Sequence, residues 1–454
     1  MSSSPAFSEQ RGRTPLGQRE SISRRTMLLG SVGTIGAAWL ATGLTGCSAI
    51  ATGGVVPLSF WHLLSGGDGI RMSGLVDRVN SENPDFKATQ TVLTWGAPYY
   101  TKLAMASAGG RAPEVAIMHA SRVPGYAPGG LLDEWDLDML SENDVTEADF
   151  PKLVWDKGVS DGKLYSIALD IHPFILMYDK DIAKDAGVLG SDGTLPPMSS
   201  PEEFIEVARA MQLVTGVHGL SYGYLNDGAQ LWRLWYTLYL QHGATMELPP
   251  GGEVKMDEDA AISASDFMRR LLDGEIATSR GDYATAVAEF VAGGAGMFFT
   301  GVWELPTVQG AGMNVGAMPI PTLFGTPAAY ADSHSFVLPH QNAPDETKRA
   351  DTYRFVADML KNSFDWARAG HVPTYLPVTE DSKYASLDPQ ADYVDITEIV
   401  NYDPVAWFSG SGSDFQNIFG QNVQGVLLSG ADPAAGIRGF VQQINTLLSK
   451  PSPV

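Results

Sequence analysis

The chain has 454 residues, of which 44% are hydrophobic, and a net charge of −22 at pH 7. So acidic a surface repels phosphate backbones and anionic headgroups, which argues against nucleic-acid binding and against membrane binding through a basic patch. The single cysteine, Cys47, excludes an internal disulfide and a cysteine-based zinc site, and leaves the rest of the chain without a thiol nucleophile.

The amino-terminal segment carries two export motifs. Arg24 and Arg25 directly precede an apolar stretch that runs to Leu44 and is interrupted by glycines, so it is short and weak for a membrane-spanning helix. The paired arginines resemble a twin-arginine export signal, and the sequence LTGC ending at Cys47 resembles a bacterial lipobox, in which the thiol receives a diacylglycerol. Together the motifs predict a cleaved signal peptide over residues 1–46.

Lipidation at Cys47 predicts an exported protein anchored to the outer face of the cytoplasmic membrane, with residues 47–55 as a tether. The alternative is an uncleaved stop-transfer anchor with a chance cysteine. Removal of residues 1–46 takes away five arginines and two glutamates, which leaves 25 basic and 50 acidic side chains. The roughly 400 remaining residues are enough for two domains with cores of their own.

Strand and helix signals alternate along the mature chain. In chain order they are strand 56–63, a turn at 65–69, a helix with Met72, Leu75, Val76 and Val79 on its apolar stripe, strand 88–93, helix 99–108, strand 114–119, an extended segment 163–182, helices near 201–214, 231–241, 260–272 and 283–292, strand 296–305 entering a helix, and strands 316–321 and 334–339. From Asp351 onward the pattern is mostly helical. This alternation predicts an α/β fold with right-handed crossovers and mainly parallel sheets, in which ligands bind at the carboxyl ends of strands.

Six parts of the mature chain carry a family resemblance. They are FWHLLSGGDG (60–69), WGAPYYTKL (95–103), AGGRAPEVAIMHASRVPGYAPGGLL (108–132), LYSIALDIHPFILMYDKD (164–181), GGAGMFFTGVWEL (293–305) and the helices after GSGSDF (410–415). In this order and spacing they resemble the carbohydrate-binding lipoproteins, or extracellular solute-binding proteins, that deliver sugars to bacterial ABC importers. The resemblance implies a non-enzymatic, cofactor-free monomer that closes over a neutral mono- or oligosaccharide and presents it to permease subunits driven by a separate ATPase.

The resemblance also implies two lobes of the periplasmic-binding-protein type, joined by interdomain crossovers. The first lobe takes residues 56–168 and 336–375, and the second takes residues 171–332 and 376–454. Closure of such a protein is a rigid-lobe motion about a few residues at the ends of elements. We expect those hinges near Leu169 and Ser333.

A sugar has hydroxyls around its rim and C–H patches on its faces, so its site needs aromatic rings and laterally placed polar groups. Trp303, just after a glycine turn, matches the family's stacking tryptophan, and Glu304 follows it. The other predicted ligand contacts are Trp61, His62, Asp68, Trp95, His119, Ser121, Arg122, Asp170, His172, Tyr224, Asn226, Trp232, His334 and Tyr375. Packing in the core is the alternative for each residue, and Ser121 stands where many relatives have aspartate.

Three other functions compete with sugar binding. The sequence GLSYG (219–223) matches the nucleophile elbow of hydrolases, but the predicted helix before it does not fit that motif. A secreted glycosidase needs two suitably spaced carboxylates, and 50 acidic residues make chance pairs inevitable. A solute-binding protein for a polyol phosphate, peptide or polyamine is the third possibility, although Arg122 is the only clearly placed cation for a phosphate. No HExxH, paired CxxC or DxDxDG pattern occurs, so no zinc or calcium motif is predicted.

Overall fold

The structure is a computed structural model that describes residues 54–452. The predicted signal peptide, the lipidation site Cys47 and all but the last two residues of the tether lie outside the described residues. Within the described range, no helix combines the length and the apolar character that crossing a membrane requires.

Fifteen strands and fifteen α-helices occur between residues 54 and 452. The strands are β1 (Val56–His62), β2 (Phe86–Val92), β3 (Val115–His119), β4 (Leu132–Asp133), β5 (Val159–Ser160), β6 (Lys163–Leu164), β7 (Ser166–Ala168), β8 (Asp170–Asp179), β9 (His218–Ser221), β10 (Ala295–Gly301), β11 (Val315–Pro319), β12 (Ala329–Asp332), β13 (His334–Pro339), β14 (Val372–Pro373) and β15 (Val400–Asn401). The helices are α1 (Gly66–Glu82), α2 (Ala97–Ala108), α3 (Leu137–Glu142), α4 (Lys152–Lys157), α5 (Lys180–Asp185), α6 (Pro201–Thr215), α7 (Gly228–Leu240), α8 (Glu258–Leu271), α9 (Tyr283–Val291), α10 (Leu305–Gly310), α11 (Glu346–Lys361), α12 (Phe364–Ala367), α13 (Leu376–Thr379), α14 (Asp414–Ser429) and α15 (Pro433–Leu448).

The first lobe is built on a six-stranded sheet of order β2-β1-β3-β13-β4, with β7 also paired to β13. Strands β1, β2 and β3 are parallel, as the strand–helix alternation predicts. The predicted apolar stripe of α1 is fully buried in the core of this lobe, because residues three and four apart share one face of a helix. Helix α1 begins at Gly66, inside the segment that the sequence predicts as a turn.

The second lobe is built on a seven-stranded sheet of order β15-β12-β8-β10-β9, with β11 and β14 also paired to β8. Its core is rich in aromatic residues, and helices α7, α8, α14 and α15 pack together on it. Strand β10 is buried along its whole length and ends at Gly301, where a 3₁₀ turn over Val302–Glu304 leads into α10. The two-lobed α/β prediction is therefore confirmed.

The sheets are mixed, so the prediction of mainly parallel sheets is wrong. Strand β8 is antiparallel to β10, β11, β12 and β14, and β13 is antiparallel to β3. The reason lies in two connections of one residue each: Leu169 joins β7 to β8, and Ser333 joins β12 to β13. Each connection carries a nearly continuous strand from one sheet to the other, and the two strands run side by side in opposite directions.

The predicted hinge residues lie at these connections. The Leu169 amide donates to the His334 carbonyl at 2.7 Å, and the Thr374 amide donates to the Leu169 carbonyl at 3.2 Å. Strand β14 therefore brings a third chain segment to the same junction. The lobe boundaries stay a prediction. Val378, which the prediction gives to the second lobe, is buried in the core of the first lobe.

Candidate functional site

A cavity of about 330 Å³ lies between the two lobes, within the size range of small-molecule sites. The first lobe lines it with Leu63, Leu64, Ser65, Gly66, Gly67, Asp68, Trp95, His119 and His334, and we call this set the first-lobe wall. The second lobe lines it with His172, Asp227, Gln230, Arg233, Tyr283, Trp303, Glu304 and Thr307, the second-lobe wall. Seven of these residues, Asp68, Trp95, His119, His172, Trp303, Glu304 and His334, are among the predicted ligand contacts.

Trp303 forms the platform of the second-lobe wall. Its indole Nε1 donates to the Tyr283 hydroxyl at 2.7 Å, and that hydroxyl donates in turn to the Glu304 carboxylate. The ring folds back over Gly301, where a Cβ would overlap it, so glycine is required at that position. Burial raises the pKa of Glu304, and the negative charge of Asp68 raises it further. The hydrogen bond from Tyr283 lowers the pKa but does not cancel the effect of burial.

Helix α7 and its N-cap Asp227 contribute three residues that the sequence reasoning missed. Asp227, Gln230 and Arg233 are spaced by three residues and all line the cavity, whereas the rest of α7 is almost entirely apolar and buried. The Arg233 guanidinium lies 4.8 Å from the centre of the Trp303 ring, and its Nη2 donates to Ser411 Oγ at 3.2 Å. A single charge within an apolar helix was the available signal for this residue.

The start of α1 forms much of the first-lobe wall. Residues 65–68 place the free backbone N–H groups of the first helical turn at the cavity, where they can donate to oxygen atoms of a ligand. Gly67 also allows the lobes to approach closely, because a Cβ there would lie only 2.9 Å from Pro306 Cβ of the second lobe. Trp95 is 37% exposed, so part of its side chain is available to a ligand.

Three histidines meet where the two walls join. The rings of His172 and His334 stack with their centres 4.0 Å apart. The centre of the His119 ring lies 5.2 Å from that of His172 and 5.0 Å from that of His334. Burial, reinforced by the neighbouring histidines, lowers the pKa of His172 to about 3 and that of His119 well below its usual value. Both rings are therefore neutral at pH 7, and each retains one lone pair.

Asp170 lies behind two of these rings, His172 and His334, and fixes their orientation. Its carboxylate accepts hydrogen bonds from His172 Nδ1 at 3.0 Å, His334 Nδ1 at 2.8 Å and Trp366 Nε1 at 2.6 Å. Burial would raise the pKa of Asp170, but its contacts with His334, His371 and His172 hold it well below the usual range. A carboxylate can only accept, so His172 donates through Nδ1 and presents Nε2, which has no hydrogen-bond partner in the described residues.

The chain is similar to known proteins in its sequence pattern and in its fold. Residues 75–392 match the model of a family described as bacterial extracellular solute-binding protein. The chain belongs to that family. Sequence comparison with curated proteins gives no match.

Solved structures with the same fold include three with ligands bound. UgpB from Mycobacterium tuberculosis in complex with glycerophosphocholine has a TM-score of 0.72 at 18% identity, covering 87% of this chain and 99% of that one. The GacH receptor of Streptomyces glaucescens, solved with acarbose, has 0.71 at 18% identity with the same coverage. The MalE domain from Bdellovibrio bacteriovorus bound to maltotriose has 0.68 at 20% identity, covering 87% and 100%. The predicted solute-binding fold is thereby confirmed.

Three predicted contacts in the first lobe of this solute-binding protein lie outside the cavity. His62 is buried, accepts from the Leu64 amide at 3.3 Å and contacts Gln90, so it supports the loop that carries the first-lobe wall. Trp61 lines a separate shallow groove with Lys102 over its ring. Tyr375 packs in the first core.

Ser121 and Arg122 join the lobes instead of lining the cavity. The Ser121 amide donates to Asp332 Oδ1 at 3.1 Å, and Ser121 Oγ accepts from the Ser411 amide at 3.0 Å. The Arg122 guanidinium stacks 4.4 Å from the Tyr100 ring centre and reaches a second-lobe carbonyl. Both residues follow β3, whose end points at the junction between lobes.

Three predicted contacts in the second lobe also lie outside the cavity. Trp232 is fully buried and donates through Nε1 to Asp403, because it lies one position before Arg233 and therefore on a different face of α7. Tyr224 is buried and its hydroxyl donates to a backbone carbonyl. Asn226 lines a different surface groove beside α14.

Proposed function

We propose that this chain is the substrate-binding subunit of an ABC importer and that it captures a neutral mono- or oligosaccharide between its lobes. The observation that carries the proposal is the combination of an aromatic platform, Trp303, with polar groups from both lobes around it. A sugar face stacks on the ring, and its hydroxyls bond sideways to carboxylate, imidazole and backbone N–H groups. A ligand that contacts both walls favours the closed arrangement.

The charge of the cavity favours a neutral ligand over an anion. Among the described lining residues, Arg233 is the only lysine or arginine, while Asp68, Asp227 and Glu304 are carboxylates. The Arg233 guanidinium is already stacked on the Trp303 ring. A phosphate in the cavity would therefore contact a single cation, which also interacts with Trp303, and would lie near three carboxyl groups. The related structures with bound acarbose and maltotriose support a sugar, and the one with glycerophosphocholine defines the competing ligand class.

A hydrolase is not supported by the surroundings of Ser221, the central residue of the GLSYG motif. Ser221 is the last residue of the short strand β9, and the predicted helix before the motif is present as α6. Ser221 is buried, and its hydroxyl proton is shared between Glu289 Oε2 at 2.7 Å and Ala286 O at 3.0 Å. His218 binds the other oxygen of the Glu289 carboxylate. The histidine therefore does not reach the serine that it would have to deprotonate. We infer that the protein binds its solute without chemistry.

A ligand screen tests this proposal. The ligand-stripped protein is heated in the presence of mono-, di- and trisaccharides or glycerophosphocholine, because a ligand at 100 times its Kd stabilises the native state by about 2.7 kcal/mol. We expect a sugar to raise the melting temperature and titration calorimetry to give one site per chain. Stabilisation by glycerophosphocholine alone, or turnover of a labelled oligosaccharide, would overturn the sugar-binding proposal.

We further propose that the protein is exported and lipid-anchored through Cys47, as a monomer beside its permease. The extracellular character of the family and the two motifs before Cys47 support this placement. Mass spectrometry of the protein from a membrane fraction should find a diacylated amino-terminal Cys47, and Cys47→Ser should release the unlipidated protein or block its processing. An amino terminus at Met1 would contradict the anchor and leave the sugar proposal intact.

A further inference from the structure

A buried cluster of one carboxylate and three imidazoles lies at the junction of the lobes. Asp170, His172, His334 and His371 each offer a ligand atom, and these four atoms all lie within 4.8 Å of one another. All four residues are at most 5% exposed. His371 was not among the residues predicted from the sequence, and it does not line the cavity.

The four residues come from the three chain segments that pass between the lobes. Asp170 and His172 begin β8 directly after Leu169, and His334 begins β13 directly after Ser333. His371 lies immediately before β14, which pairs with the start of β8. Any group bound by all four would therefore link the three chain segments that pass between the lobes.

The three imidazole nitrogens gather around the Asp170 carboxylate. His172 Nδ1, His334 Nδ1 and His371 Nδ1 lie 3.0, 2.8 and 3.1 Å from the oxygens of Asp170. A tetrahedral zinc site with bonds of about 2.0–2.2 Å has ligand atoms about 3.3–3.6 Å apart. These three nitrogen–oxygen distances would therefore lengthen by a few tenths of an ångström when the metal binds. Although close to carboxylates, neither nitrogen of His371 makes a hydrogen bond of normal geometry in the described residues.

The charge of the cluster calls for a cation. Asp68 Oδ1 lies 3.1 Å from His371 Nε2, which brings a second buried carboxylate to the group. No lysine or arginine of the described residues forms an ion pair with Asp68 or Asp170. A protonated His371 supplies one positive charge, whereas a divalent cation supplies two and balances both carboxylates.

We propose that Asp170, His172, His334 and His371 form a binding site for a divalent transition metal. Zn²⁺ is the ion with which the site is tested. Three imidazoles and one carboxylate are the ligands that zinc and its neighbours prefer, and they do not suit Mg²⁺ or Ca²⁺. The metal takes the Nδ1 atoms of the three histidines that face Asp170, so the ring protons of His172 and His334 move to their Nε2 atoms. His371 keeps its proton on Nε2 beside Asp68, and a second proton on that ring is released to solvent when the metal binds. The bound metal links the three chain segments that pass between the lobes. It therefore makes the hinge region, about which the lobes would close, more rigid.

Titration of a tag-free, chelator-treated chain with ZnCl₂ tests the site without any sugar. We expect one Zn²⁺ per chain, no binding of Mg²⁺, and at least about a tenfold to hundredfold loss of affinity in His371→Asn, because even the outer partners of metal ligands contribute that much. His218→Asn is the matched control: it removes another histidine paired with a carboxylate, at 2.5 Å from Glu289, and should leave zinc affinity unchanged. Circular dichroism without metal verifies that both variants fold.

X-ray absorption of the zinc-loaded wild-type chain decides the matter even if His371→Asn does not fold. Scattering from three imidazoles and one carboxylate oxygen supports the site. Absence of stoichiometric zinc, equal binding of Mg²⁺, a zinc shell without imidazoles, or full zinc affinity in a folded His371→Asn would overturn the proposal and leave the histidines as hydrogen-bond partners of Asp170. His172 and His334 belong both to this cluster and to the cavity walls, but zinc affinity is measured here without sugar, so a failure of the metal site and a failure of the sugar proposal are read separately.

Discussion

The two walls of the cavity differ in how their residues are held. In the second-lobe wall, Trp303, Tyr283 and Glu304 are linked by hydrogen bonds, and Arg233 stacks on the Trp303 ring. In the first-lobe wall, the start of α1 offers backbone N–H groups and the Asp68 carboxylate. The second-lobe wall is a platform built by contacts inside one lobe, whereas the first-lobe wall supplies groups that reach a ligand only when the lobes are close.

This difference assigns a step of binding to each wall. A platform whose side chains are already fixed loses little conformational freedom when a sugar stacks on it, so the second lobe should hold the ligand first. The first lobe then adds hydrogen bonds on closure, and these shift the population towards the closed form. Changes in the second-lobe wall should therefore weaken binding itself, and changes at the start of α1 should weaken closure.

The largest effect is expected from Trp303→Ala. Loss of the ring removes the platform and should weaken sugar binding by about 2 kcal/mol or more, roughly a 30-fold rise in Kd measured by calorimetry. Trp61→Ala is the matched control, since Trp61 is also half-buried but lines another groove, and its affinity should equal that of the wild type. Equal losses in both variants would show a general effect on folding, and unchanged affinity in Trp303→Ala would refute the platform.

A smaller loss is expected from Gly301→Ala, which leaves the indole in place but displaces it. The new methyl group would overlap the Trp303 ring, and such overpacking costs about 1–3 kcal/mol. Calorimetry should therefore show Kd raised by roughly tenfold. Gly310→Ala at the end of α10, where a Cβ meets nothing within 4 Å, should bind like the wild type. Equal affinity in the two variants would mean that the observed ring position is not the one that binds sugar.

Gly67→Ala tests the first-lobe wall. Its methyl group would press on Pro306 only when the lobes are close, so we expect ligand-bound protein to stay more open and Kd to rise by roughly fivefold, about 1 kcal/mol. Small-angle X-ray scattering with and without sugar measures the closure. Gly74→Ala on the same helix meets nothing within 4 Å and should close normally. Identical scattering changes in both variants would contradict the role assigned to Gly67.

The sequence predicted the platform better than its surroundings, for physical reasons. The buried stripe of α1 and the glycine turn before Trp303 are local patterns, and local patterns report which face of an element is buried. Trp232 and Arg233 are neighbours in sequence, yet one lies in the core and the other in the cavity, since successive helical residues point about 100° apart.

Long-range packing accounts for what the sequence did not predict. His371 meets Asp170 about 200 residues away along the chain, through a strand of only two residues, and no local period marks such a contact. The antiparallel course of β8 and β13 has the same origin. It depends on one-residue connections between sheets, which look like ordinary strand positions in the sequence.

The last prediction concerns folding stability, with no change expected in sugar affinity, and involves Asp403 behind the second-lobe wall. Burial raises the pKa of this carboxyl to about 6, against hydrogen bonds from Tyr330, Trp232 and Gln416. In the unfolded chain the group ionises near pH 4, so folding stability should fall as pH rises from about 4 to about 6, by up to about 3 kcal/mol for two pKa units. Asp403→Asn removes this dependence, and denaturation at pH 4 and pH 7 should show a smaller stability difference than in the wild type. The exposed Asp77→Asn should keep the wild-type difference. If Asp403→Asn keeps it too, the carboxyl is already ionised in the folded protein at pH 4, and the proposed raised pKa of Asp403 is wrong.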